Sequence, residues 1–482
     1  MWIADLSGEA LAETDCGLRK KRSGIVTHYL LTVIVLGILT AIVAGNVMAQ
    51  SPFISDEYRK LWDDPAIEQR IEAGIRQNRM APAALRLADA DGKPIAGAEV
   101  EIEQVRHDFL FGANIFLLGG FETEEKNRRY EAVFQNLLNA ASVPLYWKAL
   151  EPKQGQLRFA ADSIPIYRRP PPDTVVAFCK ANNLNMNGHT LVWDNTQWSI
   201  PEWLPPDPDE RARLIRKRIR EIAERYGKDI QRWDVLNERG DPATMPKTPM
   251  PKKFELLAFQ AAQEVLPASA ILTINETTTR TWGGSKATFR RLVESLRQEG
   301  VRIDMVGMQF HFFTTAGLAA VLKGSSYKPA EMLAAMDYLG ELGLPLHVSE
   351  ITLPSLDNTP AGHEAQAVAA RNFYRLWFSH PRMQAITWWN LVDGTAAPGE
   401  DKILSGILDS DLKPKPSYEA LDRLINHDWK TRLKVSTSAT GEASFTGFKG
   451  QYQVRVRRGD ETLTAPFHLT GEGKTPIELR LQ

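Results

Sequence analysis

Cysteine is nearly absent: the 482 residues hold two, Cys16 and Cys179. Cys16 precedes an export-type segment, so removal of that leader would leave one thiol and no intrachain disulfide. Cys179 lies in a helical stretch with no motif around it and reads as a packed thiol. An excess of one charge sign is also lacking. Lys and Arg number 58 against 59 Asp and Glu, a formal net charge of -1. That balance offers no basic face, so no nucleic-acid partner is expected. No Gly-rich phosphate loop follows any apolar run, which leaves a nucleotide cofactor without support. His-x-His and His-Glu-x-x-His spacings are missing too, so no metal centre is expected.

One apolar run is long. Residues 25–45, "IVTHYLLTVIVLGILTAIVAG", contain no Asp, Glu, Lys or Arg and follow the basic cluster Arg19-Lys20-Lys21-Arg22. Val47-Met48-Ala49 then offers small residues for a signal peptidase. Residues 1–49 therefore read as an export signal. About 20 apolar residues also span a bilayer, so residues 25–45 can instead form an uncleaved membrane anchor. Both readings make the protein an exported one: secreted, periplasmic, or held on the outer side of a membrane.

Residues 50–108 begin charged and helix-like. They then alternate polar and apolar on both sides of Asp91-Gly92-Lys93-Pro94, a hairpin signal. Over 109–428, short apolar runs alternate with helical patterns. The runs are "FLFGANIF" (109–116), "AASVPLYW" (140–147), "LNMNGHTLVW" (184–193), "RWDVLNE" (232–238), "AILTINE" (270–276), "IDMVGMQFHFF" (303–313), "LPLHVSE" (344–350) and "AITWWNLVD" (385–393). Eight such runs predict an α/β fold, the (β/α)8 TIM barrel, with a doubly wound open sheet as the alternative. Residues 429–482 alternate around Arg458-Gly459-Asp460 and read as a small β-module. Strands one and eight of a closed barrel are neighbours, so the hairpin and this module emerge side by side. Each is too small to bury a core alone. They are expected to form one accessory module, with Leu85, Leu87, Val100 and Ile102 facing some of Phe445, Tyr452, Val454, Val456 and Phe467.

Catalytic residues of such barrels sit at the C-terminal strand ends. The fourth run ends in Asn237-Glu238 and the seventh in Ser349-Glu350. The third carries His189 and Trp193, the sixth Gln309 and His311, and the eighth Trp388, Trp389 and Asp393. A single strand-end Glu is more often a solvated rim residue than a catalyst. Two that face each other across a barrel mouth are what glycoside cleavage requires: one protonated donor and one ionised attacker. Burial and mutual repulsion drive two such pKa values apart. Asn237 is placed to bond a sugar 2-OH, and Trp193 and Trp389 offer flat apolar faces. His347, inside the seventh run, reads as a core histidine. Trp62, Trp282, Trp377 and Trp429 read as packing residues.

At these residues the sequence resembles family 10 of the glycoside hydrolases, the xylanase family. The matching stretches are "WKALEP" (147–152), "GHTLVW" (188–193), "WDVLNE" (233–238), "GMQFH" (307–311), "LHVSE" (346–350) and "KPKPSY" (413–418). The resemblance implies Glu238 as acid/base and Glu350 as nucleophile, with retention of configuration. It also implies sugar contacts for His189, Trp193, Asn237, Gln309, His311 and Trp389. The implied substrate is a β-1,4-linked plant polysaccharide or its oligosaccharides, foremost xylan. A relative acting on another or a decorated β-glycan is the alternative within enzymes, and a noncatalytic carbohydrate-binding protein the alternative outside them. The chain departs from the family at Ser142, Val143 and Tyr146, where Glu, Asn and Lys usually bind the glycone-side sugar. Thr352 replaces an Asp, Thr196 replaces a Gln, and a second Trp beyond the eighth run is missing. The departures at Ser142, Val143 and Tyr146 predict weak binding of the second glycone-side sugar.

Overall fold

In the computed structural model, residues 51–239, 250–471 and 477–481 are described. Residues 1–49, read as an export signal or anchor, and with them Cys16, lie outside these. Among the described residues no helix is long and apolar enough to cross a membrane.

Eight parallel strands close into a barrel. In chain order they are Leu110–Asn114, Ala140–Pro144, Asn185–Val192, Arg232–Asn237, Ile271–Glu276, Met305–Met308 with its continuation Phe310–His311, Leu346–Thr352 and Met383–Trp388. The eighth strand closes the ring by pairing with the first, Ala385 opposite Leu110 and Trp388 opposite Ala113. Burial explains the continuous apolar runs. Strands two, four and seven are buried at every residue, because the core fills one face and helices cover the other. The charged stretch at 207–227 forms the helix Pro208–Tyr226. Asp207 caps it by accepting from the Glu210 N–H, and Pro208 sits in its first turn. Trp62, Trp282, Trp377 and Trp429 are all buried in the barrel's core cluster, and Cys179 is buried with its thiol pushed up to about 12.

Before the barrel, the helix-like stretch divides into Asp56–Trp62 and Pro65–Arg79. Asp64 caps the second helix, and Pro65 cannot continue the first. The expected hairpin is confined to its turn. Around Gly92, at φ of 83°, Ala88 bridges Pro94 and the Ile95 N–H donates to the Leu87 carbonyl at 3.0 Å, but the strands on either side, Met80–Ala88 and Glu99–His107, enter different sheets. Met80–Ala88 lies between Glu442–Phe448 and Ile477–Arg480. Glu99–His107 lies between Arg432–Ser436 and Gly450–Arg458, with Glu461–Leu469 beyond. The reason is the apolar face that each strand carries. Paired edge to edge, the two would leave both faces uncovered. Stacked face to face in a sandwich, they bury each other. Leu85, Leu87, Val100, Ile102, Tyr452, Val454, Val456 and Phe467 share one core, with Phe445 at its edge. Both ends of the chain thus build the expected accessory module.

Candidate active site

Glu238 follows directly on the fourth strand, in the left-handed region at φ 50°. A non-glycine residue seldom adopts that conformation, and here it turns the side chain into the barrel mouth. Its own N–H donates to the Asn275 carbonyl at 2.8 Å, which fixes the turn to strand five. Glu350 projects from within strand seven and is 4% exposed.

Gln309 joins the two. Its Nε2 donates to Glu238 Oε1 at 2.8 Å and to Glu350 Oε1 at 3.1 Å. Gln309 is in turn fixed by Trp282, whose indole N–H donates to the Gln309 carbonyl at 2.9 Å. Asn275 Nδ2 donates to Glu350 Oε1 and to Asn237 Oδ1, each at 2.7 Å. Ser349 Oγ donates to Asn275 Oδ1 at 2.5 Å. His311 Nε2 lies 3.2 Å from Glu350 Oε2, and its Nδ1 lies 2.8 Å from Thr352 Oγ1. His189 donates through Nδ1 to Asp234 Oδ2 at 2.8 Å, and the same oxygen accepts from Asn187.

These contacts separate the two carboxyls. Burial first, and the charge of Glu350 second, push Glu238 well above the ordinary carboxylate value against opposing bonds from Gln309 and Asn237. Burial would raise Glu350 as well. The His189 imidazole 4.0 Å away, the contact with His311 and the bond from Asn275 outweigh it and hold Glu350 below the ordinary value. One carboxyl is set to carry a proton and the other to carry a charge.

The predicted site residues come together. Glu238, Glu350, His189, Trp193, Asn237, His311 and Trp389 line one cleft. Gln309 lines its continuation past Glu238, with Thr277, Thr278 and Trp198. Trp193 and Trp389 join Phe116 and Tyr146 in an aromatic cluster. His347 is buried within its strand and contacts Thr387 Oγ1 at 2.7 Å, away from the cleft. Among the described residues no group of His, Cys, Asp and Glu is arranged to hold a metal.

The sequence reading missed several residues. Asn275 carried a signal, since "TINE" repeats the Asn-Glu ending of strand four. Asp234 lay in plain view inside "WDVLNE", hidden by the expectation that a strand interior is apolar. Arg168, Arg169 and Glu400 come from loops without any motif, and all three line the cleft.

A family model, glycosyl hydrolase family 10, matches residues 105–423. Anti-sigma-I factor RsgI6 of Acetivibrio thermocellus is 26% identical over 425 residues, 87% of this chain and 48% of that protein. Endo-1,4-beta-xylanase 5-like of Arabidopsis thaliana is 23% identical over 431 residues, 86% of this chain and 66% of that protein. The chain thus spans about half the length of the first relative and just under two thirds of the second. Among solved structures, xylanase 10B of Thermotoga petrophila in complex with xylobiose is similar at TM-score 0.55 and 20% identity, covering 67% of this chain and 95% of that one. At that identity the structural likeness speaks for the fold. The matched residues span every barrel strand and include Glu238 and Glu350, and by that match the chain belongs to glycosyl hydrolase family 10.

Proposed function

We propose that the protein is a retaining glycoside hydrolase that cleaves β-1,4 linkages of a plant cell-wall polysaccharide of the xylan type. One observation carries the reading: Glu238 and Glu350 accept from the same Gln309 nitrogen, at 2.8 and 3.1 Å. Sharing one donor caps the separation of these oxygens at about 6 Å. Retaining pairs stand roughly 5–5.5 Å apart, and inverting pairs roughly 6.5–9.5 Å, to admit a water between them. In this reading the Glu238 carboxyl gives its proton to the glycosidic oxygen as a Glu350 oxygen bonds the anomeric carbon and the bond to the leaving sugar breaks. Water then attacks that carbon, Glu238 takes its proton, and Glu350 is released. Asn237 is placed to bond the 2-OH. Trp193 and Trp389 supply apolar walls for the rings.

The substrate class rests on family membership and on relatives named xylanases. A relative named as an anti-sigma-I factor makes a noncatalytic sugar-binding role the second reading. The opposed pKa directions of the two glutamates favour the enzyme, since binding alone has no use for a split pair. The basic cluster and apolar segment before residue 50 support export. Incubating the purified protein with a panel of β-glycans, and following the anomer of the first product by NMR, tests the reading. Release of β-anomer from xylan is expected. Binding without cleavage of any glycan would favour the second reading.

A further inference from the structure

The family's usual glycone-side residues are gone, yet the wall they would form is not bare. Ser142, Val143 and Tyr146 are all buried. Arg169, from the loop after strand two, lays its guanidinium over the Tyr146 ring, 3.8 Å from the centroid. Its neighbour Arg168 is 6% exposed. Arg168 donates to the Thr395 carbonyl at 2.6 Å and to Asn390 Oδ1 at 3.0 Å, while its buried Nε has no partner among the described residues. Among the described residues Arg169 donates once, to the Arg168 carbonyl at 2.8 Å.

Two adjacent guanidinium groups therefore stand at one wall of the cleft, and among the described residues neither pairs with a carboxylate. Buried charge is costly unless it is paired. Glu400 lines the same cleft and its charge acts on both arginines, but among the described residues it forms no ion pair with either. The side of the cleft is identifiable. The lobe that holds Arg168, Arg169 and Tyr146 reaches both Glu238 and Glu350. The other lobe reaches Glu238 without Glu350, as the leaving-group side must.

We propose that Arg169, backed by Arg168, binds a carboxylate carried by the sugar on the glycone side, so that the favoured substrate is a uronic-acid-bearing β-glycan. A planar guanidinium presents parallel N–H donors that match a carboxylate, and Tyr146 holds the Arg169 plane in place. The inference rests on the hydrolase reading for the side of the cleft that the uronate occupies. It does not rest on that reading for the binding itself.

Two measurements on the full chain separate the two claims. One is hydrolysis of a glucuronic-acid-substituted xylo-oligosaccharide and of its carboxyl-reduced form. The other is calorimetric binding of the same pair to the Glu238→Gln protein. We expect the carboxylated glycan to be preferred by about 10–100-fold in kcat/KM and in Kd, the range for one charge-assisted contact. In Arg169→Gln the preference should collapse toward one, and Arg169→Lys should restore part of it. Equal handling of the two glycans by the parent protein, or an unchanged preference in Arg169→Gln, overturns the proposal and leaves the hydrolase reading standing. Selective binding without hydrolysis overturns the hydrolase reading and supports the arginines. Binding of neither glycan overturns the proposal.

Discussion

His311 Nδ1 stands 2.8 Å from the Thr352 hydroxyl, and the other ring nitrogen faces Glu350. A hydroxyl can donate to an unprotonated Nδ1, so the imidazole can serve Glu350 while neutral. The carboxylate usual in the family can only accept, which favours the doubly protonated ring. Thr352→Asp should therefore strengthen the positive charge beside Glu350 and lower its pKa further. The acid limb of the pH profile of kcat/KM then moves to lower pH. Thr352→Val leaves Nδ1 without a partner and should cost about tenfold in kcat/KM. Rate profiles from pH 3 to 9 check both.

The glutamates differ in what they supply. Glu238→Gln should reduce polysaccharide cleavage by about 10²–10⁴. It should spare the first step on aryl glycosides with good leaving groups, which need little protonation. Glu350→Ala should lose both activities, and azide should restore turnover with inverted product. The parent profile should be a bell: activity rises with pH as Glu350 ionises, below the ordinary carboxylate range, and falls as Glu238 loses its proton, well above it. Glu238→Gln should lack the alkaline limb.

The same displacement bears on stability. Glu238 has a folded pKa raised above its unfolded value. In the window between the two, the folded state binds more protons, so stability falls as pH rises. Glu238→Gln removes an ionised group from a buried site. Its melting temperature should exceed the parent's by about 2 °C or more at pH 8. The two should converge below pH 4, where Glu238 is protonated in both states. Calorimetric melts across that range decide it.

Restoring the family's polar set should not help this chain. Tyr146 packs against Phe116, His189 and Trp193, with ring centroids 5.8, 5.2 and 5.9 Å apart, and carries Arg169 on its face. Ser142→Glu, Val143→Asn and Tyr146→Lys together would bury new charge and remove that stack. We expect a loss of roughly 3 kcal/mol or more in stability, with no gain in turnover of neutral xylo-oligosaccharides. Thermal melts and kcat/KM on xylotriose test this.

A fifth expectation concerns the joint between module and barrel. His107 is buried there, with Gln104 on one ring nitrogen and the Ile425 carbonyl on the other, at 3.2 and 3.1 Å. Burial pushes it down to about 4 from 6.5. Below pH 6.5 the unfolded chain takes up a proton that the folded joint refuses, so stability falls as pH drops toward 4. The full loss is about 3 kcal/mol. His107→Gln should flatten that decline, which chemical denaturation at pH 7 and pH 4.5 will register.

Much of the architecture was legible because the signals were local. Eight apolar runs gave eight strands, and the charged stretch 207–227, acidic early and basic later, folds as the helix Pro208–Tyr226. The meeting of Glu238 and Glu350 in one cleft was legible because each ended an apolar run. The hairpin's length was misread for a physical reason: period-two alternation shows that a strand has one buried face but not which strand lies beside it. Leu85 pairs with Ala443 and Ile477, and Val100 with Val435 and Val456. Partners more than 300 residues away leave no local trace. Arg168 and Arg169 were invisible for a related reason. Their place at the cleft depends on the path of a loop, and "YRRPPP" shows only that the loop is extended.

The accessory module also sets when the molecule can be finished. Strand Met80–Ala88 leaves the ribosome early, yet both its hydrogen-bonding edges stay open until residues 442–480 have been made. Glu99–His107 waits in the same way for residues 432–458. Through most of synthesis the chain thus carries two unpaired strands whose apolar faces have nothing to cover them, a standing invitation to pair with other chains. A helper that binds exposed strand edges would find its work at this N-terminal stretch, and release from it would coincide with arrival of the C-terminus.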